Sequence, residues 1–348
     1  MYFKSRSLVG VLLVAVLVIT MAMMTYSSLA YSSEKKPKFK FKCAQAMMPK
    51  KSMTHQMMIE MCENITKRTD GNVTWKFFGP EIGDWLELQR MAMKGAVDVQ
   101  FNAWDTSLDP RWNVIYLPFL ASTWDEVKKV YATGGPYDEL GKQWAQDADL
   151  YYLGTWLNTM GSLGLNTQPI TTPEGASGVK IRCPPLDIFK CYVEKMGFTT
   201  VTIPWAETPT AVSTGVADGW VGSGAVYMYD LFRDVAKTMV VTYDFGEMWS
   251  ISMNLKKWNQ LPPEYQKIFQ EEADKIIAAH LEKVKEEELE YQEKLKAHGW
   301  TVIDMAGEHP AELKVWRERA RECWDVFEPI VGKIWMDKIK ALRGMPVE

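Results

Sequence analysis

The segment Gly178-Val179-Lys180-Ile181-Arg182-Cys183-Pro184 places an arginine at the end of a short predicted strand, which stops at a proline pair. No acidic residue occurs between positions 178 and 186. A guanidinium presents five donors in a planar fork that matches a carboxylate. We therefore expect Arg182 to bind an organic anion, the alternative being a structural salt bridge between two lobes.

Two aromatic residues and an acid follow Arg182 in the same half of the chain. Trp205 and Glu207 stand at a predicted strand-to-helix junction, where a side chain can face a pocket. Trp205 would offer a flat wall to a ligand, or would belong to the core. Glu207 would orient Arg182, accept a hydrogen bond from a ligand hydroxyl, or simply stand in the first turn of a helix. Trp220 is a further candidate, whereas Asp218 is interpreted as structural.

The composition is that of an ordinary globular protein. The chain has 348 residues, of which 47% are hydrophobic and 24% charged, and this length suffices for two domains. A net charge of -4 gives no reason to expect nucleic acid as a partner. The four histidines and five cysteines are dispersed, so no metal site or cofactor is predicted.

The N-terminus resembles an export signal. Lys4 and Arg6 precede the apolar stretch 8–24, and Ser28-Leu29-Ala30 offers the small residues of a cleavage site. We interpret residues 1–30 as a signal peptide and the mature protein as periplasmic. Because the apolar stretch is long for a cleaved signal, an uncleaved anchor remains open.

The cysteines allow only partial conclusions. An odd number in an exported protein leaves at least one thiol unpaired, unless pairing is intermolecular. Cys43 falls on the inner face of a predicted strand and Cys62 on an apolar helix stripe, so both are expected to be buried thiols. Cys183 and Cys191 could pair, which the sequence does not decide.

Hydrophobic periodicity predicts an α/β architecture. Strict alternation marks strands at 38–43 and 73–77, and a period near 3.6 marks helices at 52–68 and after Asp84. A strand at 97–101 completes a β-α-β-α-β order, which favours a mostly parallel sheet with a crevice at its strand ends. After the strand 150–157 the pattern is lost near Asn158, and this position is interpreted as the crossing into a second lobe.

Two further features support a two-lobed organisation. Lys94-Gly95-Ala96-Val97-Asp98-Val99 resembles Thr214-Gly215-Val216-Ala217-Asp218-Gly219, as two related lobes would. A helix at 263–297, about 50 Å long, would contact both lobes and hold them together. The predicted domains are lobe I at 36–157 plus 248–287, and lobe II at 158–247 plus 288–348.

These motifs together resemble the solute-binding proteins of tripartite ATP-independent periplasmic (TRAP) transporters. The Arg182 segment is similar to the family's Gly-x-Lys-x-Arg-x-Pro, and Pro204-Trp205-Ala206-Glu207 and 215–219 follow at its spacing. The resemblance covers roughly 39–299 and implies a hinged, two-lobed periplasmic-binding-protein fold. It also implies that Arg182 holds a carboxylate, that the receptor delivers its solute to a membrane permease, and that it performs no chemistry. We expect a monomer.

Two departures from the family pattern bear on the ligand. A second family arginine falls near Ser162, and a family asparagine near Gly222. Both losses favour a monocarboxylate with an apolar or aromatic body over a dicarboxylate or sugar acid. The other candidate ligand contacts are residues that follow the first-lobe strands and one at the lobe crossing: Gln45, Asn102, Trp104 and Ser162.

Two other function classes remain as alternatives. A receptor that presents the ligand to a membrane sensor kinase would share the fold and the pocket. An exported enzyme acting on organic acids finds little support, because the chain has no nucleophile elbow, zinc-binding histidine pair or glycine-rich phosphate loop.

Overall fold

The computed structural model describes residues 38–345, so the predicted signal peptide lies outside the described residues. The strands are β1 Phe39–Ala44, β2 Val73–Phe78, β3 Val99–Ala103, β4 Leu150–Leu165, β5 Lys180–Cys183, β6 Thr199–Thr202, β7 Gly219–Ser223, β8 Thr238–Asn254 and β9 Thr301–Asp304. The main helices are α1 Met53–Arg68, α2 Trp85–Met93, α3 Trp124–Val130, α4 Pro136–Asp147, α5 Asp187–Lys195, α6 Thr208–Ser213, α7 Pro263–Ala297, α8 Pro310–Val331 and α9 Lys333–Leu342.

One mixed sheet connects all the described strands, in the order β2-β1-β3-β8-β4-β7-β5-β6, with β9 paired to β8. Its centre is an antiparallel pair of two long strands, β4 and β8, which have 16 and 17 residues. The expected parallel pairing is present on either side, between β1 and β3 and between β5 and its neighbours β6 and β7. The centre of the sheet therefore departs from the parallel arrangement predicted from the sequence.

The two long strands pair with different neighbouring strands at each end. β3 pairs with residues 249–253 of β8, whereas β9 pairs with residues 238–241 of the same strand. β7 pairs with residues 162–165 of β4. The sheet is thus divided into two halves that the two long strands cross without a loop, which is the two-lobed α/β fold expected.

The sequence repeat corresponds to a repeated structure. Gly95 and Gly215 both adopt positive φ, 73° and 76°, after a helix. Asp98 Oδ2 accepts a hydrogen bond from the Lys42 backbone N–H at 2.7 Å, and Asp218 Oδ2 accepts one from that of Lys180 at 2.9 Å. Each aspartate therefore fixes the neighbouring parallel strand in its own half, which agrees with a structural role for Asp218.

Helix α7 begins and ends where the sequence predicts, at Pro263 and Ala297. Proline is tolerated at the first helical position, because its missing N–H would have no partner there. Near its start, Glu272 binds Arg68 of α1, and further along Glu288 accepts hydrogen bonds from the Ala225 backbone N–H. The helix therefore contacts both halves.

The structure decides the cysteine pairing that the sequence left open. Cys191 of α5 forms a disulfide with Cys323 of α8, not with Cys183. The cause is packing, because α5 and α8 contact each other, whereas Cys183 lies on β5 with its Sγ 3.8 Å from Thr202 Oγ1 of β6. Cys43 and Cys62 are buried free thiols, as expected.

Within residues 38–345, no helix combines the length and the apolar character that a membrane crossing requires.

Candidate functional site

A cavity lies at the end of β5, where the chain leaves the sheet after Arg182. Its empty volume is about 600 Å³, including the open mouth, which is in the range of small-molecule sites. Residues from both halves of the sheet line it: Met47, Met48, Trp85, Ala103, Tyr116, Arg182, Pro184, Leu186, Phe189, Trp205, Val221, Gly222, Ser223, Tyr227 and Glu247.

Arg182 is the cationic group of this cavity. Its side chain is buried, with 3% of the residue exposed, and its Nε donates to the Ile203 carbonyl at 2.8 Å. Its guanidinium carbon lies 5.4 Å from the centre of the Trp205 ring. Burial lowers the pKa of Arg182 to about 10, so the group remains charged at neutral pH. Among residues 38–345, no carboxylate lies within 4.0 Å of it.

Glu247 of β8 is the acidic group of the same cavity. Asn158 of β4 donates from Nδ2 to Glu247 Oε2 at 2.7 Å and to the Tyr227 hydroxyl at 2.9 Å. Burial raises the pKa of Glu247 to about 7, and the Asn158 hydrogen bond and the Arg182 charge offset only part of this effect. The carboxyl is therefore partly protonated at neutral pH and can donate or accept a hydrogen bond.

Most of the remaining wall is apolar and well packed. Phe189 of α5 stacks on Phe245 with ring centres 4.1 Å apart, and Tyr116 lies 5.5 Å from Phe189. The turn with Met47 and Met48 also lines the cavity. Such a surface contributes contact area, while a few polar groups fix the orientation of a ligand.

Only two of the predicted site residues, Arg182 and Trp205, line this cavity. Trp220 is buried, stacks on Phe232 at 3.8 Å and donates to Ser223 Oγ. Glu207 is exposed in a helical turn and does not line the cavity. Ser162 is fully buried opposite Ser223 in the β4–β7 ladder, so it too lies behind the wall.

The three first-lobe candidates are also buried away from the cavity surface. Gln45 exchanges hydrogen bonds with the backbone of Met48, at 2.7 and 2.8 Å, and so holds the turn that does line the cavity. Asn102 donates to the Trp85 carbonyl at 2.8 Å. Trp104 packs on Trp112 with ring centres 4.4 Å apart. All three support the wall rather than form it.

Sequence reasoning missed Glu247, Tyr227, Phe189 and the two methionines of the turn. The strand that carries Glu247 was not predicted, because the stretch 238–254 mixes apolar, polar and glycine residues without a clear period. A signal was nevertheless present, since Glu247 is a single acid within an otherwise apolar stretch, Phe245 to Trp249. A lone acid in a buried stretch is a candidate for a functional role.

Comparison with known proteins agrees with the fold. The model of the bacterial extracellular solute-binding protein family 7 matches residues 44–329. The sialic acid-binding periplasmic protein SiaP of Vibrio cholerae is 23% identical over 236 residues, which cover 67% of this chain and 70% of that protein.

Two solved structures superpose on most of the chain. One is a TRAP periplasmic solute-binding protein of Haemophilus influenzae with bound L-gulonate, with a TM-score of 0.80, 19% identity and 88% and 99% of the two chains covered. The other is an extracytoplasmic solute receptor of Bordetella pertussis that binds pyroglutamic acid, with a TM-score of 0.79, 18% identity and 87% and 99% covered. The chain therefore belongs to the bacterial extracellular solute-binding proteins of family 7, the solute receptors of TRAP transporters.

Proposed function

We propose that this receptor captures an organic monocarboxylate and that Arg182 binds the carboxylate. The observation that carries the proposal is a buried, charged guanidinium that lines a cavity and has no carboxylate within 4.0 Å among the described residues. A buried charge is costly unless it is paired, so a ligand carboxylate would supply the missing partner. Two structural neighbours bind small carboxylic acids, one of them the sugar acid L-gulonate and the other pyroglutamic acid, which supports the carboxylate class.

Glu247 supports a monocarboxylate rather than a dicarboxylate. A second ligand carboxylate in this cavity would face the carboxyl of Glu247, so it would either meet a like charge or require Glu247 to be protonated, and both cost binding free energy at neutral pH. Phe189, Leu186 and Val221 favour a body that is apolar or aromatic. Trp205 would pack on this body, and Glu247 would accept a hydrogen bond from a donor on it.

The proposed mechanism is capture by lobe closure. The predicted lobe boundary, at 157/158 and 247/248, falls within β4 and β8 next to Asn158 and Glu247. A solute that contacts both lobes stabilises the closed form, because it binds that form more tightly. The closed receptor would then deliver the solute to membrane permease subunits from the periplasm, acting as a monomer and without chemistry on the solute.

The test is a thermal-shift screen of the mature protein, followed by calorimetry. The panel contains short monocarboxylates, dicarboxylates, sugar acids, neutral sugars and amines. A ligand at 100 times its Kd adds about 2.7 kcal/mol to the free energy of unfolding, so a tight monocarboxylate will raise the Tm clearly. Shifts with neutral sugars or amines alone would refute the carboxylate class, and shifts with dicarboxylates alone would refute the monocarboxylate.

A further inference from the structure

A second cavity adjoins the first on the other side of Tyr227. Its empty volume is about 840 Å³, including open space, and it shares four wall residues with the first cavity. Those four are Met47, Met48, Trp205 and Tyr227. A solute held by Arg182 therefore has a second compartment next to it.

The ionisable side chains of this second compartment are mainly acidic. Asp230 and Glu287 line it, and burial raises the pKa of Glu287, with smaller contributions from the charges of Glu290 and Asp230. Among the residues that the structure describes, the only lysine or arginine in the wall is Lys51, whose Nζ lies 4.0 Å from Asp230 and whose side chain is 79% exposed. Lys294 and Glu290 are the other charged groups that affect Glu287, and they pair with each other at 2.7 Å.

His280 provides a second, independent indication of a ligand. It lines the same compartment with 3% of its surface exposed, and its Nε2 has no hydrogen-bond partner among the described residues. The other ring nitrogen bonds to the Leu157 backbone, and burial lowers the pKa of His280 to about 4. The imidazole is therefore neutral, and Nε2 is an acceptor.

Among residues 38–345, the only cation that pairs with an acceptor of this compartment is the exposed Lys51, 4.0 Å from Asp230, and His280 Nε2 has no hydrogen-bond partner. Two carboxylates and an imidazole nitrogen suit a cationic group that donates hydrogen bonds. Tyr227 and Tyr291 add aromatic rings, and an ammonium already lies over one of them, since Lys294 Nζ is 3.8 Å from the Tyr291 ring centre. A metal ion does not fit, because no three His, Cys, Asp or Glu side chains among residues 38–345 are grouped closely enough to hold one.

We propose that the second compartment binds an organic ammonium group, so that the solute is a zwitterion with its carboxylate on Arg182 and its ammonium next to Asp230 and Glu287, in the compartment that His280 also lines. This inference rests on the proposed function, because it uses the Arg182 carboxylate site as one end of the ligand. Tyr227, which lies between the two compartments, would contact the chain that joins the two charges.

The experiment compares matched pairs of probes by calorimetry. Each ω-amino acid of four to six carbons is compared with the unbranched fatty acid in which a methyl group replaces the ammonium. The two members of a pair have nearly equal size, and the hydrophobic effect favours binding of the fatty acid. We expect at least one ω-amino acid to bind about tenfold or more tightly than its partner, a difference of about 1.4 kcal/mol.

Variants then assign the effect to the compartment. Asp230→Asn with Glu287→Gln should reduce the preference for the ammonium to less than about twofold, while fatty acid binding persists and shows that the variant is folded. The matched control is Glu286→Gln, since Glu286 is exposed on the same helix and lines neither cavity.

The outcomes separate the two proposals. If neither probe series nor any other carboxylate binds the wild type, the proposed function is wrong. If fatty acids bind as well as ω-amino acids, or if the double variant keeps the preference, the carboxylate site stands and the ammonium site is refuted.

Discussion

Arg182→Gln tests the carboxylate site directly. The variant removes a charge that lines the cavity and keeps a side chain that can still donate to the Ile203 carbonyl, which Nε now contacts at 2.8 Å. Removing one partner of a buried charge pair costs about 2–5 kcal/mol. At about 1.4 kcal/mol for each tenfold change in Kd, affinity for the identified acid should fall roughly thirty-fold or more.

The unliganded protein should respond differently to the same change. In the absence of solute, Arg182 is a buried charge without a carboxylate within 4.0 Å in residues 38–345, so its loss breaks no ion pair. We expect the free energy of unfolding in urea to stay the same or to rise, because the variant removes an unpaired buried charge and loses at most about 1 kcal/mol, the size of one ordinary hydrogen bond.

Calorimetry with the acid and urea unfolding without it are the two measurements. The control is Arg68→Gln, in which the lost guanidinium is already paired with Glu271 and Glu272, and which should leave the Kd unchanged. Wild-type affinity in Arg182→Gln would refute the assignment. A large loss of stability without ligand would instead favour a structural ion pair.

Three further predictions concern stability. Glu247 has a folded-state pKa of about 7 against 4.5 for the unfolded residue, so its stabilising protonated form is lost as pH rises. The free energy of unfolding should therefore fall between pH 4.5 and about 7, and Glu247→Gln should reduce this slope in urea titrations. An unchanged slope would contradict the burial of this carboxyl. The 191–323 disulfide closes a span of 132 residues, for which loop entropy predicts about 5 kcal/mol, and observed values are commonly about 2–4 kcal/mol. A reducing agent should lower the urea midpoint of the wild type but not that of the double variant Cys191→Ala, Cys323→Ala, and equal sensitivity would show that the bond is not formed. Asp98→Ala and Asp218→Ala each remove an acceptor for a strand N–H and should each cost about 1–3 kcal/mol, with the Kd for the acid unchanged. A Kd change in Asp218→Ala alone would place that residue in the ligand site.

The sequence was sufficient to predict Arg182 as a cavity residue, the bounds of the long helix and the repeated strand-supporting aspartate, because each has a local signal. These signals depend on neighbours in the chain. For Arg182 the signal is a strand that ends at prolines, for the helix it is a run of 35 residues after Pro262, and for the repeat it is a glycine-aspartate pair. The fold class followed from the same periodicities and from the family resemblance.

The rest of the cavity could not be predicted, because it depends on contacts between distant segments. Glu247 and Asn158 are 89 positions apart and meet only because β4 and β8 pair. Gln45 follows β1 as expected, whereas Asn102 lies within β3, and both side chains bond to backbone groups instead of facing the cavity. Which side of a turn a polar residue faces depends on the packing of its neighbours, and periodicity carries no information about it.

The crossing between the two halves also has a mechanical consequence. β4 and β8 remain hydrogen-bonded from the Leu150–Asn254 pair to the Leu165–Thr238 pair, with register shifts near Gly154, Thr159 and Leu163. A bulge increases local twist while the ladder continues on either side. We expect the proposed closure to twist this ribbon elastically at its bulges, with the ladder intact. The twisted ladder would store elastic energy during closure. Release of that energy would reopen the receptor after the solute leaves, without any loop having to refold.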